Sequence, residues 1–292
     1  MNLSLNPTEE DSVNIVHATH LIQDSTKVAT FLKNSGFEIL ELIEVSDDRN
    51  THCCQISLNG SYISFEKRNN SDLQEFFDSA LTGFGLGTKD IESTQGRLTL
   101  HGFHPLSIKE RRLLFPVTEK EQRKIACKIF KLKKSDVLEG DVEFLDVNTS
   151  TKSSAKSAHK NALSHFHAII LCTNKPEETI ARCCWLTNQS SPRRIFGSSW
   201  QVGLDQQKII VCSEEDVERI VPSVNVSNLP SILGYALLTE SLSKTKDCFS
   251  HNELVLQSLN QGSFLVKLPE FISGNLIIGT SAADFPWNGD FN

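Results

Sequence analysis

A pattern of one strand, one short helix and three further strands recurs four times along the 292 residues, and it constrains the fold more than any single residue does. The clearest copy covers residues 14–65. Ile15 to Ile22 read as a strand, and Asp24-Ser25 as a helix start. Val28, Phe31 and Leu32 fall at i, i+3 and i+4 on one helix face. Gly36 is suited to a left-handed helix end, with Phe37 folding back on it. Short apolar runs then follow, separated by Asp47-Asp48 and by Asn59-Gly60, which suits a tight hairpin.

Downstream, Asp90 precedes Gly102-Phe103 at the spacing that separates Asp24 from Gly36-Phe37. A third copy opens at His165, with Asn174 at the helix start and Pro176 in the first turn. A fourth opens at Leu229, with Glu240 as its start and Asn252 as a left-handed cap. The four starts, at 24, 90, 174 and 240, stand 66, 84 and 66 apart. Two equal intervals around a longer one predict two tandem pairs of modules. One module has too few apolar residues to bury its own sheet face, and pairing supplies the missing layer.

The expected fold is therefore α+β, with four βαβββ modules in two domains, each a half-open sheet around a cavity. The arm 1–12 is polar and loose, and 13–147 forms the first domain. Residues 148–158 (NTSTKSSAKSA) form a polar linker, 159–282 the second domain and 283–292 a tail.

Net charge of −7 opposes nonspecific binding to nucleic acid or anionic membrane. No apolar run approaches the roughly 20 residues of a membrane span. The start MNLSLNPTEEDS lacks the features of a signal peptide, so a cytoplasmic location and chance Asn-x-Ser/Thr triplets are expected. The eight cysteines include two adjacent pairs and no CxxC spacing, which suits reduced, buried side chains. Residues 109–134 carry ten Lys/Arg against three Glu, readable as a solvated excursion or as a wall attracting an anion. GFGLG at 83–87 lacks the Lys-Ser/Thr ending of a phosphate loop, and no Gly-x-Ser-x-Gly elbow is present.

The phrases VHATHLIQD, THCCQISLNGSYISF, GFGLGTKDIESTQGRLTLHGF and HKNALSHFHAIIL resemble those of bacterial glyoxalase-like domain proteins of the vicinal oxygen chelate superfamily. In that superfamily the cavity of a module pair holds a divalent metal, with ligands on the first and last strands of each module. The resemblance implies His17 and Glu143 as metal ligands, with Asp146 as the next carboxylate. His52 is implied as the residue that orients or deprotonates the substrate. Ser64 and Gly83 or Phe84 fall at the other two ligand positions and are poor ligands. In the second domain only His167 matches, beside Val211 or Cys212, Leu233 to Tyr235 and Ile277 or Ile278.

His20, three residues from His17 on a strand, is expected to face away from it, and His165 to share a face with His167. The expectation is a divalent-metal-assisted enzyme, of lyase, isomerase or dioxygenase type, on a small oxygenated molecule. The alternative is a metal-free small-molecule-binding protein with a degenerate metal site. A third reading is a scaffold whose cavities are filled by side chains. A monomer suffices physically to close both cavities, and a dimer is compatible with the pattern.

Overall fold

The computed structural model describes residues 14–45, 50–67, 80–116, 122–147 and 159–288 apart from 225, 227, 253 and 261. For 42–45, 50–52, 113–116 and 122–125 the description is of backbone alone. The arm 1–12 and the linker 148–158 lie outside it, as does the Asp47-Asp48 turn.

Four modules follow in order. The first comprises β1 (Asn14–Ile22), α1 (Ser25–Asn34), β2 (Leu40–Val45), β3 (Asn50–Leu58) and β4 (Ser61–Lys67). The second comprises β5 (Ala80–Thr88), α2 (Ile91–Leu100), β6 (Lys109–Pro116), β7 (Gln122–Lys131) and β8 (Asp141–Asp146). The third holds β9 (Leu163–Thr173), α3 (Pro176–Thr187), β10 (Arg193–Arg194), β11 (Trp200–Leu204), β12 (Gln207–Ser213) and a short α4 (Val217–Ile220). The fourth holds β13 (Ser231–Thr239), α5 (Leu242–Ser250), β14 (Leu256–Ser258), β15 (Ser263–Lys267) and β16 (Asn275–Gly279).

In each module the first strand runs parallel to the last, which the intervening helix makes feasible. The first strands of partner modules then pair antiparallel, β1 with β5 and β9 with β13. The two pairs nevertheless differ. In the first, β2 also pairs with β6, so eight strands close into a barrel in the order β1-β4-β3-β2-β6-β7-β8-β5. In the second the sheet stays open, in the order β10-β11-β12-β9-β13-β16-β15-β14. The expected half-open sheet is thus found only in the second domain.

The helix starts fix how the modules align. Asp24 accepts the Lys27 amide at 2.9 Å and Asp90 accepts the Ser93 amide at 2.9 Å. In the later modules the N-caps are Lys175 and Ser241, one residue beyond the expected Asn174 and Glu240. The starts at 24, 90, 175 and 241 therefore stand 66, 85 and 66 apart. A threonine pair joining strand end to first helical turn recurs in step, as Thr88–Thr94, Thr173–Thr179 and Thr239–Thr245. Gly36 and Gly102 end their helices at positive φ as expected. Asn252 is not at positive φ; its side-chain Nδ2 instead donates to Ser35 Oγ of the first module.

One apolar core runs from Ile15 in β1 to Ile278 in β16, joining the outer face of the barrel to the helix-covered face of the second sheet. Polar side chains staple the same junction. His159 accepts the Glu38 amide and bonds Ser57 O, while Asn161 donates to Ser35 O. Arg97 in α2 caps the end of α3 through Trp185 O and Leu186 O. All eight cysteines are free thiols, six of them buried.

Candidate functional site

Five residues lie side by side in register across the barrel. Tyr62 in β4 pairs with His17 in β1, His17 with Gly85 in β5, Gly85 with Glu143 in β8, and Glu143 with Lys131 in β7. Gly85 lies in the middle of the row, between His17 and Glu143. A Cβ at Gly85 would overlap the His17 ring, so the ring lies flat over this glycine and crosses its strand. His17 Nε2 thereby comes within 3.1 Å of Glu143 Oε1, and Tyr62 stacks on the other face at 4.8 Å. No sequence pattern marked Gly85, because the role arises only when β1 and β5 are paired.

The carboxylate has a stronger partner. Arg111 reaches across β7 from β6 and donates to both oxygens, at 2.6 Å to Oε1 and 2.9 Å to Oε2. Lys131 Nζ adds a contact at 3.6 Å from the half-exposed rim. Burial alone would raise the Glu143 pKa. The Arg111 charge, the His17 hydrogen bond and Lys131 outweigh it and hold the group well below the usual carboxylate range. Burial pushes the Tyr62 phenol up, so it stays a hydrogen-bond donor. Val16, Cys127, Ile129 and Leu145 form a small apolar cluster beside the row, with Tyr62 and Val147 packed against it. Sequence reasoning saw only a basic segment at Arg111. Two other cations of that hairpin turn to carboxylates elsewhere, Arg112 to Glu110 and Lys128 to Glu92.

Sequence reasoning thus paired His17 with Glu143, and the fold brings them together. Asp146, three residues along β8, lies on the strand face opposite Glu143. His52 lies in β3 opposite Ile43, and its side chain is outside the described residues. His20 turns to the outer face, stacks on Phe65, and contacts Ile272 O at 3.2 Å and Tyr235 Oη at 3.3 Å. Burial lowers its pKa to about 4.

Among the described residues, the second domain has no equivalent cluster. Counting from the N-caps, the positions that answer to His17 are Gly83, Ala168 and Gly234. The strand registers agree, since His17 faces Tyr62, Gly83 faces Asp141, Ala168 faces Lys208 and Gly234 faces Asn275. Two residues further on, the last-strand positions are Ser64, Glu143, Ile210 and Ile277. The second pair therefore presents Ala168, Ile210, Gly234 and Ile277. His167, matched to His17 by sequence, stands one residue out of phase. Its ring stacks on Phe285 at 4.6 Å and lies parallel to Trp287 at 6.4 Å. Burial and then Lys208 lower its pKa to about 4. Phe285 and Trp287, from what was read as a tail, pack with Ile170, Ile210, Ala236 and Ile277 and fill the concave face.

The fold family implies a divalent ion at the His17–Glu143 position. Catalytic sites for such ions typically draw open lone pairs from three side chains. Both Glu143 oxygens are engaged by Arg111, Ser64 Oγ turns to Glu66 Oε1 at 3.4 Å, and Gly83 supplies no side chain. Among the described residues, no three His, Cys, Asp or Glu side chains converge. The residues present do not fit a resident metal.

No family model and no curated protein sequence matches the chain. Solved structures do. A hypothetical protein from Staphylococcus aureus superposes with a TM-score of 0.61 at 9% identity, covering 91% of this chain and 98% of that one. The Mn(II)-bound glyoxalase from Novosphingobium aromaticivorans gives 0.59 at 10% identity, covering 90% and 80%. A variant of 4-hydroxymandelate synthase from Streptomyces coelicolor gives 0.56 at 9%, covering 92% and 93%.

Proposed function

The chain has the two-domain vicinal oxygen chelate fold of paired βαβββ modules, and from that premise we propose that it binds a small molecule in the first module pair without a resident metal. The observation that carries this reading is the bidentate Arg111–Glu143 pair. A guanidinium takes up the lone pairs that a metal ligand would offer, and it supplies the compensating charge itself. What remains for a ligand is hydrogen bonding and charge. Tyr62 donates from one end of the row, the Lys131 ammonium stands at the rim of the other, and His17 supplies an imidazole between them.

A second reading keeps the metal-assisted enzyme, because His17 and Glu143 stand on the first and last strands and meet at 3.1 Å. It requires Arg111 to release the carboxylate. Titration with Mn(II), followed by electron paramagnetic resonance on chain purified without chelator, separates the two. The metal-free reading expects the ion to stay free at micromolar concentration. It also expects any stabilisation by a panel of small oxygenated acids to survive EDTA. One tightly held equivalent of Mn(II), lost in His17→Ala, would establish the enzyme reading instead.

A further inference from the structure

We infer that Gln207, at the start of β12 in the second domain, is a positioning residue that sets the register at which β1 presents His17 to the barrel. Along β1, Ile15 and Ala18 belong to the outer core, whereas Val16 and His17 both face inward. Two consecutive inward residues break the alternation of a regular strand. The break is a β-bulge: Ile15 pairs with Leu86 and His17 with Gly85, so Val16 has no partner of its own on β5. A bulge leaves backbone groups to be satisfied by something other than the ladder.

Beside the bulge, Ile15 lies before the first β1–β4 pair at His17–Tyr62, and Gln207 bonds its amide and carbonyl from across the domain junction. Its Oε1 accepts the Ile15 amide at 2.6 Å, and its Nε2 lies 3.0 Å from Ile15 O. The same nitrogen reaches Ser61 Oγ at 3.1 Å and Phe166 O at 3.3 Å, while Ser61 Oγ donates to Ile15 O at 2.8 Å. The side-chain amide therefore pairs with both polar groups of one residue, as a neighbouring strand would, two residues before His17. The two-residue turn Asp205-Gln206, with Asp205 at positive φ, holds Gln207 at the tip of the β11–β12 hairpin where it meets β1. Asparagine is one methylene too short for this reach, and glutamate would lose the donor. A domain whose own site positions are Ala168, Ile210, Gly234 and Ile277 thus acts on the site of its neighbour.

This inference rests on the reading of His17 as a site residue for its importance, but not for its test. In full-length chain labelled at histidine and at backbone nitrogen, Gln207→Ala is expected to speed hydrogen exchange of the Ile15 amide about tenfold or more. It is also expected to move the His17 Cε1–H resonance, which the stacked Tyr62 ring shifts, towards the value of a free imidazole. His20, three residues on and facing the other side, is the internal control and should keep its resonance. Gln207→Glu, which keeps an acceptor for the Ile15 amide, should give an intermediate shift. It also provides the same readout should the alanine variant not fold. A deprotected Ile15 amide beside an unmoved His17 resonance would overturn the inference, as would equal movement of His17 and His20. Because no ligand or metal enters the measurement, a failed binding assay would count against the proposed function alone.

Discussion

Arg111 and Glu143 are each under a tenth exposed, and the energetics of such a pair are asymmetric. Forming it recovers little beyond the desolvation of two charges, whereas removing one partner strands the other. Arg111→Met should therefore destabilise the chain by about 3–5 kcal/mol in urea unfolding. The loss should shrink when Glu143→Gln is added, since the stranded charge is then gone. Gly85→Ala tests the other constraint on the row. The added methyl must displace the His17 ring and should cost about 1–3 kcal/mol, as overpacking does. The same change should separate His17 from Glu143, seen as loss of any response of the imidazole resonance to Glu143→Gln.

At the level of helices and strands, the modules use one start device with different chemistry. Asp24 and Asp90 each accept a backbone amide in the first turn, but Lys175 makes no side-chain cap and relies on Pro176. Asp24→Ala should cost about 1 kcal/mol of stability in thermal or urea unfolding, and Lys175→Ala close to none. The cap positions also correct the reading of the third module. Asn174 is the residue that resembles a cap, while the helix begins after Lys175, and that one-residue offset is what moves His167 away from the position of His17. A bulge skips His167 in the β9–β13 register, so its ring stays on the concave face against Phe285, at the position that answers to Val16 and not to His17.

Over the whole molecule, burying neutral imidazoles ties stability to pH. His20 and His167 both fall from 6.5 to about 4, chiefly through burial. Above pH 6.5 each ring is neutral whether folded or unfolded and adds no pH dependence. As pH falls below 6.5 the unfolded chain takes up the proton first, so stability declines until about pH 4. Each ring contributes up to about 3 kcal/mol of that decline, at about 1.4 kcal/mol per pKa unit. Glu143 extends the loss below about pH 4.5, where the unfolded carboxyl protonates while the folded one stays charged. Urea unfolding at steps from pH 7.5 to 4 should show this slope, and His20→Phe should flatten it between pH 6.5 and 4. Trp287→Ala tests the filling of the second concave face, with an expected loss of about 3–5 kcal/mol.

The sequence by itself determined the modules, their pairing and two of the residues that meet in the barrel. Apolar spacing, helix-cap residues and turn residues act over a few positions and leave a readable period. It also matched His17 and Glu143 to the right strands. Only the tertiary structure decided that β2 and β6 close the first pair while the second stays open. It alone brought Arg111 across β7 to the carboxylate, laid His17 over Gly85, and filled the second concave face with Phe285 and Trp287. Each of these depends on residues far apart in the chain being brought into register. A charge such as Arg111 has the same local signature whether it turns to solvent or into a barrel, and the difference is made by the strand on the other side.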